Sequence, residues 1–282
     1  MQSKIFLTGA TGYIGGAVAD ALLAAGYAVT GLARSDEAAR KLRAKGITPF
    51  EGDLRSPADV AKAAAAADAV IHAGTTNDGR IDREAVLAMG NALRPLTPFI
   101  YTSGIWVLGD TGGKIADETW DVNPAALVAW RPEVENLVIA AARIGVRSVV
   151  IRPGIAYGRG GGIAADFVKS GRYVGMGDNH WPVVHVDDLA DLYVRALGST
   201  GGTLFHATDG SSFLVREIAA AARPNGRAES WPVEEARKTL GAYADALALD
   251  QLVSSEKART AFGWQPREAS ILDDLRQGSY AQ

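Results

Sequence analysis

Three glycines, at positions 9, 12 and 15, punctuate the stretch Thr8-Gly9-Ala10-Thr11-Gly12-Tyr13-Ile14-Gly15, between the apolar run Lys4–Thr8 and the helix-forming segment Gly16–Leu23. Strand, glycine turn and helix in that order leave few folds open. The backbone must turn tightly at Gly9, and Gly15 lets the new helix press onto the sheet. Near Gly12 the helix opens with unpaired N–H groups and the positive end of its dipole, and no Cβ stands in the way. A dinucleotide pyrophosphate is the ligand such a turn accepts. The spacing is GxxGxxG rather than the commoner GxGxxG, so the flanking strand and helix carry the reading as much as the glycines do.

The chain beyond the turn alternates with the rhythm of a doubly wound sheet. Strands are predicted over Ala28–Ala33, Thr48–Gly52, Ala69–Ala73 and Pro98–Thr102, with helices over Glu37–Ala44, Pro57–Ala67 and Arg83–Ala92 between them. A helix over Glu133–Ile144 leads into Val146–Arg152, a continuous apolar strand of the kind buried on both faces. Right-handed crossovers make the sheet parallel and place its ligand at the carboxyl ends of the strands. After Arg152 the rhythm breaks, at Gly158–Gly162 and again over Gly175–Trp181. A helix over Val186–Leu197, with Asp187 and Asp188 at its positive end, and a strand over Thr203–Thr208 rejoin the sheet. Helices near Val215–Ala222, Val233–Leu240 and Ser254–Phe262 build a small second lobe. The expected architecture is α/β. Residues 1–155, rejoined by about 184–210, form the dinucleotide-binding domain, and residues 156–183 and 211–282 form a small substrate lobe.

Composition narrows the function classes. A net charge of −3 and a pI near 5.9, with no basic stripe, speak against nucleic acid or a membrane surface as partner. The chain has no cysteine, which excludes disulfides, zinc–thiolate sites and cysteine nucleophiles and fits a reducing cytoplasm. Its four histidines, at 72, 180, 185 and 206, show no HxxxH spacing, so no metal is expected. No apolar stretch is long enough to span a bilayer and no signal peptide precedes the first strand, so a cytoplasmic protein is expected.

A set of short motifs, in order along nearly the whole chain, resembles the extended or atypical short-chain dehydrogenase/reductase superfamily, in its epimerase/dehydratase branch. The set is Thr8–Gly15, Gly52-Asp53-Leu54, Ile71-His72-Ala73-Gly74, Tyr101-Thr102-Ser103-Gly104, Arg152-Pro153-Gly154 with Tyr157-Gly158, Val184–Ala190, and Phe262-Gly263-Trp264-Gln265-Pro266. The resemblance implies a Rossmann fold and a nicotinamide cofactor, held by the turn residues Gly9, Thr11, Gly12, Tyr13, Ile14 and Gly15. It implies that Asp53 and Leu54 flank the adenine and that Ala73, Gly74 and Thr75 line the path to the nicotinamide ribose. Thr102, Arg131 and Pro153 complete the cofactor set. It also allows a homodimer.

Charge decides between the two forms of the cofactor. An NAD enzyme usually offers a carboxylate to the ribose 2′-hydroxyl at the end of its second strand. Here that strand ends in Ala33-Arg34-Ser35, a guanidinium beside a hydroxyl, which suits a 2′-phosphate and favours NADP over NAD.

At the catalytic position the sequence departs from the pattern it resembles. The family uses a Ser or Thr after the fifth strand and a TyrxxxLys pair, in which the Lys lowers the Tyr pKa. Anchored on Glu135, this register puts Arg131 at the Lys place and Leu127 at the Tyr place, and no tyrosine occurs between 102 and 156. Arg131 can orient a ribose but, as a permanent cation, cannot exchange protons near neutral pH. Ser103, one position from where epimerases place the hydroxyl, is then the first candidate for proton transfer, with Tyr157 next. The expected function is an NADP(H)-dependent oxidoreductase acting on a carbonyl or hydroxyl of a small or sugar-like substrate. A non-catalytic NADP(H)-binding module and a nucleotide-sugar epimerase are the alternatives.

Overall fold

The computed structural model describes residues 2–281. Seven strands form one sheet: β1 (Lys4–Thr8), β2 (Ala28–Ala33), β3 (Thr48–Glu51), β4 (Ala69–His72), β5 (Pro98–Thr102), β6 (Arg147–Pro153) and β7 (Thr203–Ala207). Their order across the sheet is β7-β6-β5-β4-β1-β2-β3. The ladders from β3 to β6 are parallel, with Phe6 of β1 opposite Thr30 of β2 on one side and Val70 of β4 on the other. This is the Rossmann-type α/β architecture. The strand order reverses between β1 and β4, the place where a doubly wound sheet opens a crevice for its ligand.

Local chemistry sets the helix starts. Ser35 caps the helix Asp36–Ala44 by accepting the Ala38 amide at 3.2 Å, and Ser56 caps Pro57–Ala65. The helix predicted from Arg83 begins four residues earlier, at Gly79, because Asp78 accepts the Arg80 and Ile81 amides. Gly79 is needed there, since a Cβ would lie 2.6 Å from the Trp130 side chain. The helix predicted over Glu133–Ile144 runs over Arg131–Ala140 and tightens into a 3₁₀ turn, Ala141–Ile144, before Gly145 at φ +86°. Pro132 falls in the first turn, where its missing N–H costs nothing. Small side chains (Ala63, Ala64, Ala85) and larger ones (Phe6, Val70, Phe99, Val150, Met89) fill one core on this side of the sheet.

The chain divides into two compact units of equal chain length, and passes from one to the other five times. The first comprises residues 1–103, 130–151 and 190–205; the second comprises 104–129, 152–189 and 206–282. The second lobe is therefore not small, and residues 104–129, expected in the dinucleotide-binding domain, belong to it. The physical reason is pairing at long range. Ile115–Ala116 forms a parallel ladder with Leu252–Val253, and Gln251 Nε2 donates to the carbonyls of Ile105 and Gly109 at 2.9 and 2.8 Å.

The second unit has its own core, around Tyr157, Trp181, Ile218 and Ile271, with short parallel ladders joining Ile155–Tyr157 to Val183–His185 and Arg172–Val174 to Glu229–Trp231. Trp264 is fully buried and donates to the Asp188 carbonyl at 2.8 Å, while the Asp188 carboxylate accepts the Arg267 and Glu268 amides. Two helices here, Ala242–Leu247 and Ile271–Gln277, are too short to show a period in the sequence. Among the described residues no helix is long and apolar enough to cross a membrane.

Candidate functional site

The turn after β1 is built from three glycines with two different reasons for being glycine. Gly9 has φ +75°, a left-handed conformation, and a Cβ there would lie 2.6 Å from the Ala73 carbonyl oxygen. On Gly15 a Cβ would lie 2.1 Å from the Gly9 carbonyl oxygen. The expected contact of Gly15 with the sheet is thus a contact with the turn itself. Backbone fills both spaces. Gly12 differs: its φ of −87° and ψ of 179° suit any residue, and a Cβ would meet only the Gly9 oxygen, at 3.2 Å. A Cβ here would make the Gly9 carbonyl give by a few tenths of an ångström, a smaller demand than at Gly9 or Gly15. What the missing side chain leaves is room at the N-terminus of the helix Tyr13–Ala24, where a phosphate is favoured.

Beside this turn lies a cleft of about 350 Å³ contained in the first unit. Gly9, Thr11 and Gly12 line it from β1, Arg34 from β2, Asp53 and Leu54 from β3, and Ala73, Gly74 and Thr75 from β4. Four strand ends thus bring nine of the sequence-derived residues together. Leu32, Ala38, Arg55 and Thr76 line it as well and were not singled out. Two of them adjoin motifs: Arg55 follows Gly52-Asp53-Leu54, and Thr76 lies two residues past Gly74. The Thr76 hydroxyl is buried with no hydrogen-bond partner. Tyr13, Ile14 and Gly15 lie in the first turn of the helix rather than on the cleft wall, and Ser35 spends its hydroxyl on the Ala38 amide.

Three charges meet in the cleft. The Asp53 carboxylate accepts the Arg55 amide at 2.9 Å, with the Arg55 guanidinium 3.4 Å away. Arg34 is exposed and has no hydrogen-bond or ion-pair partner among the described residues. No carboxylate follows β2 before the helix cap at Ser35.

The end of β5 holds the remaining candidates of the first unit. The Thr102 hydroxyl lies 2.6 Å from the Tyr193 hydroxyl, and the Thr102 carbonyl accepts from Arg131 at 3.0 Å. Burial pushes the Tyr193 phenol up, so it keeps its proton. The Arg131 guanidinium also lies over the Trp130 ring, 4.7 Å from its centre. Ser103 is buried, its amide donates to the Ile151 carbonyl, and its hydroxyl has no partner. A buried hydroxyl without a partner is uncommon, because leaving one unmade costs about 1–3 kcal/mol.

Tyr157 and Pro153 belong to the second unit. The Tyr157 hydroxyl donates to the Ala269 carbonyl at 2.8 Å and lies 3.4 Å from Asp209, and its ring meets the His185 ring edge to face. Burial and the nearby Asp209 and Asp188 carboxylates push this phenol up. Its proton is committed. Pro153 ends β6, buried. Leu127, at the place of the family tyrosine, lies in a 3₁₀ turn, Ala126–Val128.

Fold, glycine turn and cleft define a dinucleotide-binding protein, and comparison with known proteins agrees. A family model described as NAD(P)H-binding matches residues 9–199, and the chain belongs to that family. An uncharacterized protein of Schizosaccharomyces pombe is 32% identical over 98% of this chain and 99% of its own length. A 4-hydroxy-2-methyl-3-oxo-4-farnesyl-3,4-dihydroquinoline-1-oxide ketoreductase of Stigmatella aurantiaca is 28% identical, over 76% of this chain and 71% of that protein. Among solved structures, the UDP-glucose 4-epimerase of Thermus thermophilus in complex with NAD superposes with a TM-score of 0.77, at 22% identity, over 97% of this chain and 99% of the other. A human epimerase family protein with NADPH superposes with a TM-score of 0.74, at 21% identity, over 98% and 99%. The two structures share the fold.

Proposed function

We propose that this protein is an NADP(H)-dependent oxidoreductase acting on a carbonyl or hydroxyl group of a small or sugar-like substrate. The observation that carries the reading is Arg34. A guanidinium with no partner stands at the end of β2, on the cleft that also holds Gly12. A 2′-phosphate would give it a charge-assisted, bidentate partner, whereas a bare ribose hydroxyl would not. Arg55, on the same cleft, adds a second cation. The ketoreductase relative and the NADPH-bound human neighbour support the reading, and the NAD-bound epimerase weighs the other way.

The cofactor, when bound, supplies or accepts the hydride. The chain does the rest. Gly9, Thr11 and Gly12 leave room for the pyrophosphate, Asp53 and Leu54 bound the adenine, and Ala73, Gly74 and Thr75 lead towards the ribose. Arg131, tied to the Thr102 carbonyl, orients the nicotinamide side. Ser103 is the hydroxyl left to bond the substrate oxygen. Tyr157, with its proton given to Ala269, is the weaker candidate.

A second reading, a non-catalytic NADP(H)-binding module, is favoured by Leu127 in place of the tyrosine and by the permanent charge of Arg131. A fold that binds the cofactor does not by itself perform the reaction. A nucleotide-sugar epimerase ranks third, because it too would need that tyrosine.

Titration with NADPH and NADH, followed by a hydride-transfer screen on ketones, aldehydes and sugars, separates these. NADPH is expected to bind more tightly by about 1–3 kcal/mol, and Arg34→Ala to remove most of that difference. Equal affinities in the wild-type protein would remove the argument from Arg34. In an active reductase, Ser103→Ala is expected to lower turnover roughly 10²–10⁴-fold with little change in cofactor affinity. Binding without turnover across the panel would favour the module.

A further inference from the structure

A buried chain of polar groups runs beside the glycine turn, and the function proposed above does not use it. Thr8, His72, Asp82 and Tyr101 are each 3% exposed or less. Thr8 Oγ1 accepts the Gly74 amide at 3.0 Å and lies 2.6 Å from His72 Nδ1. On the other side of the ring, His72 Nε2 is 3.4 Å from Asp82 Oδ1, and the Tyr101 hydroxyl donates to Asp82 Oδ2 at 2.7 Å. Strands β1, β4 and β5 and the helix Gly79–Ala92 each contribute one member.

A carboxylate this deep is costly unless it is paired and hydrogen-bonded. Burial pushes the Asp82 carboxyl up, but the His72 ring, the Tyr101 hydroxyl and the Arg131 guanidinium outweigh it and hold the group below the ordinary carboxylate range. Tyr101 is pushed far above the phenol range by burial and by Asp82, with Arg131 and Glu135 facing it from the helix Arg131–Ala140. Asp82 is thus an anion and Tyr101 keeps its proton. The Thr8 oxygen already accepts the Gly74 N–H, so with a neutral His72 the Thr8 proton goes to Nδ1 and the ring's own proton faces Asp82. That arrangement pairs the groups from Tyr101 to Gly74 except at His72 Nε2, which faces Asp82 at 3.4 Å without closing a hydrogen bond. Apolar side chains of the same volume would fill the space without the desolvation cost.

One end of the chain reaches the cleft, and the other adjoins the candidates at the end of β5. The Gly74 amide belongs to the seam where the β1 and β4 loops meet backbone to backbone, and a Cβ on Gly9 would lie 2.7 Å from its nitrogen. Tyr101 directly precedes Thr102 and Ser103 in β5. We propose that Thr8, His72, Asp82 and Tyr101 are positioning residues for the dinucleotide. The chain fixes the Thr8 hydroxyl and, through it, the Gly74 amide and the seam of the two loops. Cofactor affinity then depends on groups that do not touch the cofactor. The inference rests on the proposed cofactor site.

Thr8→Val removes the hydroxyl and keeps the shape, and Thr8→Ser returns it. In a fluorescence titration with NADPH, Thr8→Val is expected to raise Kd roughly 3- to 30-fold, the range for a residue acting through others, while Thr8→Ser stays close to wild type. Asp82→Asn keeps an acceptor for Tyr101 but removes the charge facing His72. It is expected to raise Kd similarly. Thermal unfolding of each variant runs alongside. An unchanged Kd in a folded Thr8→Val protein would overturn the inference, as would equal losses in Thr8→Val and Thr8→Ser. If Asp82→Asn does not fold, the Thr8 pair decides alone. Wild-type protein that binds neither NADPH nor NADH overturns the cofactor reading itself, and this inference with it.

Discussion

Two glycine-rich segments, Thr8–Gly15 in the first unit and Gly158–Gly162 in the second, look alike as sequence and differ in what occupies them. In the second, a Cβ on Gly158 would lie 2.2 Å from the His185 ring, at a φ of +106°. The Gly158 amide donates to the Tyr280 hydroxyl and the Gly160 amide to the Ser279 hydroxyl, each at 2.8 Å. Tyr280 also bonds the Gly161 carbonyl, and Arg159 pairs with Asp187. The loop is consumed by the C-terminal segment of its own chain. In the first turn, backbone claims the space at Gly9 and Gly15 but crowds Gly12 less, with a Cβ there 3.2 Å from the Gly9 oxygen. Glycine content alone does not mark a phosphate loop; what fills the missing Cβ does.

The largest effect that would test this contrast is expected at Gly12. Gly12→Val should weaken cofactor binding at least about 100-fold by occupying the pyrophosphate path, while thermal unfolding stays near wild type. A valine variant that binds normally would break the comparison at its first term. Gly158→Ala should do the reverse. We expect roughly 2–3 kcal/mol of lost stability, from a strained φ and an overpacked ring, with NADPH affinity retained in the folded fraction. Weakened NADPH binding without lost stability would show that the second loop also serves a ligand.

Acid sharpens the contrast between the units. His206, buried in the second unit, is held down to about 3 by burial and by the Arg152 guanidinium. Below pH 6.5, the ordinary histidine value, the unfolded chain binds a proton that the native chain does not. Stability therefore falls as pH drops from there towards 3, by roughly 2 kcal/mol at pH 5. Asp82 in the first unit has a lowered pKa, so its contribution is complete above its unfolded value of 3.8 and is lost only in stronger acid. Urea unfolding at pH 7 and pH 5, on wild type and His206→Gln, checks this; a variant with the same pH difference as wild type would rule His206 out. The smallest effect is at Tyr280. Tyr280→Phe strips the loop of its bridging hydroxyl and should cost about 1–2 kcal/mol, with no change in cofactor affinity.

The glycine turn and the strand ends that line the cleft were legible because each is a local signal: a run of apolar residues, a punctuating glycine, a charged residue at a known register. Arg34 could be read from its position alone. The allegiance of residues 104–129 was not legible, because it depends on Ile115 finding Leu252 across the chain. The Tyr157 bond to Ala269 is hidden for the same reason. His72 stood inside a motif, but its partner Asp82 lies in a helix whose start, at Gly79, the sequence placed too late. Thr76 and Arg55 adjoined recognised motifs and carried no pattern of their own.

The five passages of the chain between units bear on how the protein is made. Strands β1 to β6 leave the ribosome in order, but the first unit lacks its edge strand until residue 205 has been added. The second unit opens at residue 104 and needs residues beyond 270 for its core. At about 5–20 residues per second, its early segments wait roughly 8 to 33 seconds for the helices that cover them. A chain extended only to residue 250 has every strand of the first unit, while Tyr157 and Trp181 of the second still lack Ile271 and Leu275 of their core.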